Sequence, residues 1–295
     1  MSVFVRYWLY PLLLLATLTA AILVIVGDGD LKRAFAGFAF ARLVLLFAVE
    51  RRFPCKPEWG MTLRSFLRDL KYIVVLGGGG FAVKFAAGWL SIGLAERSVG
   101  PLSLWPLVVQ TIVLGLTYEF FQYWLHRFSH EARGPVGRFL WRTHVQHHLP
   151  QRVYLLMHVV SHPINFIFVM IINVAVIRRL GVSDDAVFLF NVVLGLQGLV
   201  SHFNVRIDAG PLNYVLVGTE LHRTHHSADP MDAGNYGVLT PFWDLVFGTF
   251  RYRRDRLPNA LGAYDPTRYP TSNQLLATLL LPFRRQPSPH AGDEP

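Results

Sequence analysis

Apolar residues fall in six runs separated by short polar, mostly basic segments. The first, about 7–26, carries no charge and is followed by Asp28 and Asp30. It is long enough to cross a hydrocarbon core, too long for the apolar part of a signal peptide, and lacks a convincing cleavage site. It predicts a retained membrane helix. The second run, 34–49, is short and is interrupted by Arg42, which must snorkel or face protein. The third, 72–95, contains Gly77–Gly80 and Lys84; no Lys-Ser/Thr follows the glycines, so close helix packing explains them better than a phosphate loop. The fourth, 104–125, leads straight into His126. The fifth (164–177) and sixth (186–200), parted by Arg178 and Arg179, predict short spans or a re-entrant hairpin. An apolar stretch at 274–283 is too short to span and predicts an interfacial or packed helix. Residues 286–295 are polar and Pro-rich, as disordered ends are.

Composition agrees with this pattern. Apolar residues make up 52% and charged residues 16% of the 295 residues, against about 25% charged in soluble domains. The net charge of +9 comes from basic clusters between apolar runs, as cytoplasmic loops require, rather than from a nucleic-acid-binding domain. Six basic and two acidic residues between 51 and 71 place that loop in the cytoplasm. Cys55 is the only cysteine, so an internal disulfide is excluded and a thiolate metal site has no support. The expected fold is an all-α integral membrane protein: a bundle of four to six transmembrane helices with a cytosolic, histidine-rich metal-binding cap.

Eleven of twelve histidines lie between 126 and 226, and most form three clusters. These are His126 and His130; His144, His147 and His148; and His222, His225 and His226. Positions i, i+3 and i+4 share a helix face, so each cluster can aim its imidazoles at one point. Eight imidazoles exceed the needs of one ion, which predicts two adjacent metals. Nitrogen donors suit iron, zinc, copper or nickel rather than calcium or magnesium. No cluster carries the glutamate of HExxH, so a pair of irons activating O2 fits better than a hydrolytic zinc. With a cytoplasmic N-terminus, the alternation of runs brings all three clusters to the cytoplasmic side. His290 lies in the polar end and is excluded.

HxxxH, HxxHH and a later HxxHH among membrane helices resemble the fatty acid hydroxylase/sterol desaturase superfamily, over about 104–252. The resemblance extends to Glu119-Phe-Phe-Gln-Tyr-Trp-Leu-His-Arg127, Ser161-His-Pro163, Ser201-His-Phe-Asn-Val-Arg206, Asn235-Tyr-Gly237 and Trp243-Asp-Leu-Val-Phe-Gly-Thr249. The last box and closing signature look most like the bacterial sterol-desaturase-like branch and the alkylglycerol monooxygenases. It implies N-terminal membrane helices and a loop (1–103), a catalytic region (104–252), and a tail (253–295).

The resemblance makes His126, His130, His144, His147, His148, His222, His225 and His226 iron ligands, with His202 a ninth. His162 is a further candidate, a structural role before proline being the equal alternative. His158 fits a supporting role. Asn204 could ligate iron directly or through water, and Glu119 could orient a ligand imidazole or pair with a basic neighbour. Asp244 could act as Glu119 does or cap a turn. Trp243, Phe247 and Phe250 fit packing. The implied activity is hydroxylation or desaturation of a lipid (fatty acyl, sterol, ether lipid or related) with two irons (Fe2+/Fe3+) and O2 as co-substrate. Zinc could replace iron during purification. Electrons would come from a separate ferredoxin or cytochrome b5-like protein with its reductase, and a basic surface suits an acidic donor. The expected location is a multi-pass membrane protein with its site on the cytoplasmic side, in the inner or plasma membrane of a bacterium or the endoplasmic reticulum of a eukaryote. A zinc-dependent membrane hydrolase is the alternative. A metal transporter or storage protein fits less well, because transport ligands sit near mid-membrane.

Overall fold

Most of each apolar run lies in α-helix over its described residues, in a computed structural model that describes residues 3–89, 99–254 and 256–284. The helices are α1 (Val3–Tyr7), α2 (Leu9–Val26), α3 (Leu31–Arg52), α4 (Leu63–Trp89), α5 (Leu107–Glu131), α6 (Gly134–His148), α7 (Pro163–Leu180), α8 (Asp184–Ser201), α9 (Thr219–His225), α10 (Phe242–Phe247) and α11 (Leu275–Leu279). Among the described residues there is no strand, only isolated bridges between Pro54 and Val205 and between Ser227 and Leu261. The end of the third run and the polar stretch 286–295 with His290 lie outside the described residues.

Local chemistry sets the helix ends. Asp30 caps α3 by accepting from the amides of Lys32 and Arg33. α7 begins with Pro163, whose missing N–H is no loss in a first turn, and ends at Gly181 in the left-handed region. Ser183 then caps α8 by accepting from Ala186 N, with Asp184 and Asp185 in the first turn, where the helix dipole favours acid. Residues 163–201 are thus two full helices joined by a tight turn.

α2, α7 and α8 are long and apolar enough to cross a membrane. Eighteen residues each give about 27 Å of rise, close to a hydrocarbon core. α8 is the central helix, packed against α2, α3 and α5. Arg42 does not snorkel. It faces protein, with its guanidinium on the carbonyls of Phe38 and Val192. Gly195 permits that approach: a Cβ there would lie 3.1 Å from Nη2. Gly79 and Gly80 abut α7 at Pro163, Phe166 and Met170, so glycine here serves helix packing.

The bundle gathers its chemistry at one end. The start of α2 and the ends of α3, α5 and α8 meet there. Arg6 pairs with Asp208 at 3.4 Å. Glu50 accepts from the amides of Leu155 and Asn204 at 2.9 and 2.8 Å. The segment around α11 straps across the same end, with Thr278 and Tyr72 both receiving Gln146 Nε2 at 2.8 Å. The apolar stretch 274–283 is therefore packed on its inner face, while Leu276, Leu280 and Phe283 remain exposed outward.

Candidate metal centre

Helix periodicity delivers the histidines. His126 and His130 occupy the last turns of α5, and His144, His147 and His148 the last turns of α6. His222 and His225 lie on α9, with His226 at its C-cap and His202 at the C-cap of α8. Their ring nitrogens form two groups, in each of which one donor atom per residue lies within 4.8 Å of all the others. His126, His130, His144, His148 and His225 make one; His147, His202, His222 and His226 make the other.

The expectation that each box aims at a single point is corrected. Only the i, i+4 pairs stay together: 126 with 130, 144 with 148, 222 with 226. His147 joins the group opposite to His148, and His225 the group opposite to His226. Neighbouring helical residues point about 100° apart, so each HxxHH box bridges both groups and fixes one relative to the other.

Backbone carbonyls fix the proton positions. His126 donates Nδ1–H to Tyr236 O at 2.7 Å, His147 to Val160 O at 2.9 Å and His225 to Gly234 O at 2.9 Å. His202 Nδ1 meets Gly198 O at 3.2 Å and Ser201 Oγ at 3.0 Å; the Ser201 hydroxyl gives its own proton to Gly198 O at 2.9 Å, so Nδ1–H is the donor to both. A carbonyl only accepts, so these four rings present a bare Nε2 to the centre. Yet Nε2 of His147 and Nε2 of His202 lie 3.0 Å apart. Two lone pairs cannot hydrogen-bond. A proton does not resolve the conflict, because burial pushes His147 down to about 3. Burial likewise holds His225 at about 4, and its Nε2 is buried without a partner. A cation between the rings resolves it: imidazole nitrogens about 2.1 Å from one ion, at right angles, are about 3.0 Å apart. The donor set therefore fits a metal in each group.

The remaining candidates sit elsewhere. His162 belongs to neither group; its Nδ1 accepts from Ile164 N, capping α7, and its Nε2 meets Leu279 O at 3.1 Å. It is a structural cap. His158 packs against the ring of His202, 5.3 Å between centroids. Asn204 does not reach the centre, because its amide is paired with the backbone of Lys56 in both directions, at 3.1 and 2.9 Å. Glu119 touches no imidazole. It is fully buried and accepts from the amides of Val238 and Leu239. Asp244 accepts from the amides of Tyr236 and Gly237 and from Thr249 Oγ1. The two carboxylates thus clamp the 236–239 segment whose Tyr236 carbonyl holds His126. Trp243, Phe247 and Phe250 pack against aromatic neighbours, and Trp243 Nε1 donates to Leu116 O at 3.0 Å.

Sequence reasoning missed the carbonyls of Val160, Gly198, Gly234 and Tyr236, which carry no side-chain signature. It also missed Arg223, buried inside the last box, which donates to the carbonyls of Phe203 and Val205 and ties α9 to the turn after His202. Its place between histidines was the available clue. Gly237 was legible only as the end of Asn235-Tyr-Gly237, and Gly234 was not legible at all. A Cβ at Gly237 would sit 2.5 Å from Thr240 O and 2.9 Å from Asp244 Oδ2.

Fold and site together describe an all-helical chain, with three helices long and apolar enough to cross a membrane and an all-histidine cluster that could hold metal. Residues 111–249, just under half of the chain, match the model of the fatty acid hydroxylase family. The chain is 29% identical over 254 residues to an ornithine lipid hydroxylase of Rhizobium tropici, covering 82% of this chain and 74% of that protein. It is 29% identical over 149 residues to an alkylglycerol monooxygenase of Danio rerio, covering 48% of this chain and 32% of that one. It is 25% identical over 157 residues to the very-long-chain aldehyde decarbonylase GL1-11 of Oryza sativa, covering 52% and 57%. The chain thus spans about a third of the length of that monooxygenase and over half of that decarbonylase. No solved structure matches it significantly. The family model and these relatives are consistent with a membrane lipid oxidoreductase.

Proposed function

We propose that this protein is a multi-pass membrane di-iron enzyme that uses O2 to hydroxylate a lipid. His126, His130, His144, His148 and His225 would hold one iron, and His147, His202, His222 and His226 the other. The observation that carries this reading is the 3.0 Å approach of two bare Nε2 atoms, on His147 and His202, with both protons committed to carbonyls. Iron bound there would supply activation of O2 for oxygen insertion into an unactivated C–H bond.

The chain's own residues hold and shield that chemistry. The four carbonyls keep each Nδ1–H turned outward, so the rings neither rotate nor present a proton to the metal. Tyr236 and Trp141 pack on His130, 5.5 and 5.1 Å between centroids, and close that side against water. Glu119, Asp244 and Glu50 all receive backbone amides, so none stands free as the general base of a zinc hydrolase. A relative covering 82% of the chain is named for hydroxylating ornithine lipid, which favours hydroxylation of an acylated polar lipid over desaturation. The centre lies on the cytoplasmic side, as the basic 51–71 loop at the same end of the bundle supports. Electrons come from a ferredoxin or cytochrome b5-like protein, in the inner membrane if the chain is bacterial and the endoplasmic reticulum if eukaryotic.

Metal analysis with Mössbauer spectroscopy on protein from iron-57-enriched cells tests this. Two coupled irons per chain, with O2-dependent hydroxylated lipid in the expressing cells, are expected. Protein that binds no iron after anaerobic reconstitution with a reductant would overturn the proposal.

A further inference from the structure

A cleft of about 660 Å3 opens away from the histidines, between the start of α4 and the strap before α11. Leu63, Arg64, Leu67, Arg68, Lys71 and Asn273 line it. The three cations follow at i, i+4 and i+7, which puts them on one face of α4. The two leucines run beside them and are 74% and 49% exposed. That exposure continues along α4 through Phe66, Leu70, Ile73 and Val74, and reappears across the cleft on Leu276, Leu280 and Phe283. A water-facing surface does not carry so continuous an apolar strip. The cleft therefore sits where the hydrocarbon region gives way to the head-group layer, just before the apolar run that starts at Tyr72.

The cations differ in their engagement. Arg68 is buried and fixed: its Nε and Nη2 donate to Asp69 at 2.8 and 2.6 Å, its Nη1 to Ser272 at 3.0 Å, and it also bonds Tyr154. Asp69 in turn accepts from Tyr154 at 2.6 Å. The Asp69 carboxylate, next to Arg68 in the chain, is thus consumed by Arg68 and Tyr154. Arg64 and Lys71 are exposed at the mouth. The lip is left with a surplus of positive charge beside apolar side chains.

We propose that this cleft binds the anionic head of a membrane lipid, phosphate or carboxylate, with the acyl chains lying along Leu63 and Leu67. Arg64 and Lys71 supply the attraction, and Arg68 fixes the floor by tying α4 to Ser272. The site is separate from the metal centre and rests only on the chain's place in a membrane.

The experiment uses full-length protein in detergent, titrated with dioleoyl phosphatidylglycerol, dioleoyl phosphatidylcholine or inorganic phosphate. Bound lipid is counted by native mass spectrometry and followed by the thermal unfolding midpoint. Phosphatidylglycerol should bind at least tenfold tighter than phosphatidylcholine. Arg64→Gln with Lys71→Gln should weaken it about 30-fold, the contribution of two interfacial cations, with the lipid-free midpoint unchanged. Arg64→Gln alone should give a partial loss. The control Arg138→Gln with Arg152→Gln, which removes two exposed cations elsewhere, should retain wild-type binding. Equal binding by wild type and the double variant, or an equal loss in the control, overturns the proposal. Displacement of phosphatidylglycerol by inorganic phosphate at matching concentration would make this a free-phosphate site and overturn the lipid assignment.

Discussion

Gly234→Ala separates the metal centre's backbone support from general stability. Gly234 has φ +141°, a region open essentially to glycine, and its carbonyl receives His225 Nδ1–H. A Cβ there would lie 2.3 Å from Thr249 O, about 1 Å inside ordinary contact. The same Thr249 oxygen accepts from Asn235 N at 3.0 Å, so relieving the clash breaks that bond. Backbone strain of about 1–3 kcal/mol and one lost hydrogen bond of about 1 kcal/mol give a destabilisation of about 2–4 kcal/mol. More specifically, the Gly234 carbonyl must move away from His225. Loss of such an anchor lowers metal affinity about 10- to 100-fold, and here it should do so only in the five-histidine group. The assay is anaerobic ferrous titration against a competing chelator, with iron stoichiometry read by mass spectrometry. One of the two sites should weaken and the other should hold. Gly210→Ala is the control, since Gly210 also has positive φ (+53°) but nothing within 4 Å of the added Cβ. It should lower stability by about 1 kcal/mol and leave iron binding intact. Wild-type affinity at both sites in Gly234→Ala would refute the argument that this carbonyl orients His225.

Three further outcomes follow. His147→Ala should abolish turnover and leave about one iron per chain while membrane insertion persists, whereas His162→Ala should keep both irons; full activity in the first variant would remove His147 from the ligand set. Asp244→Asn replaces an acceptor oxygen with an amide N–H against the amides of Tyr236 and Gly237, so it should cost about 2–4 kcal/mol and lower iron affinity through His126; unchanged chemical denaturation would contradict the clamp. Metal-free protein should lose stability on acidification. His147 and His225 titrate in the fold at about 3 and 4, below the unfolded value of about 6.5, so their contribution is complete above pH 6.5 and falls below it. At pH 5 each has lost about 2 kcal/mol. A thermal midpoint flat from pH 7 to pH 5 would show that these rings are not buried neutral.

The sequence by itself determined the helices and the ligand types. Apolar runs, the Pro163 start and Gly181 stop of α7, and the Ser183 cap of α8 are local signals, and local backbone chemistry obeyed them. The histidine boxes were legible for the same reason, because i, i+4 spacing is a property of one helix. Tertiary structure decided which ring joins which group. His147 and His148 are neighbours in the chain, yet their groups are settled by where α5, α8 and α9 end around α6. It also decided the role of Glu119, which looked like a partner for an imidazole and instead holds two amides more than a hundred residues away. The carbonyls that fix the imidazole protons could not be read at all. Every residue has a carbonyl, and only packing brings the one on Val160 or Gly234 to a histidine. Local periodicity chooses the donors; long-range packing chooses their proton positions and their partners.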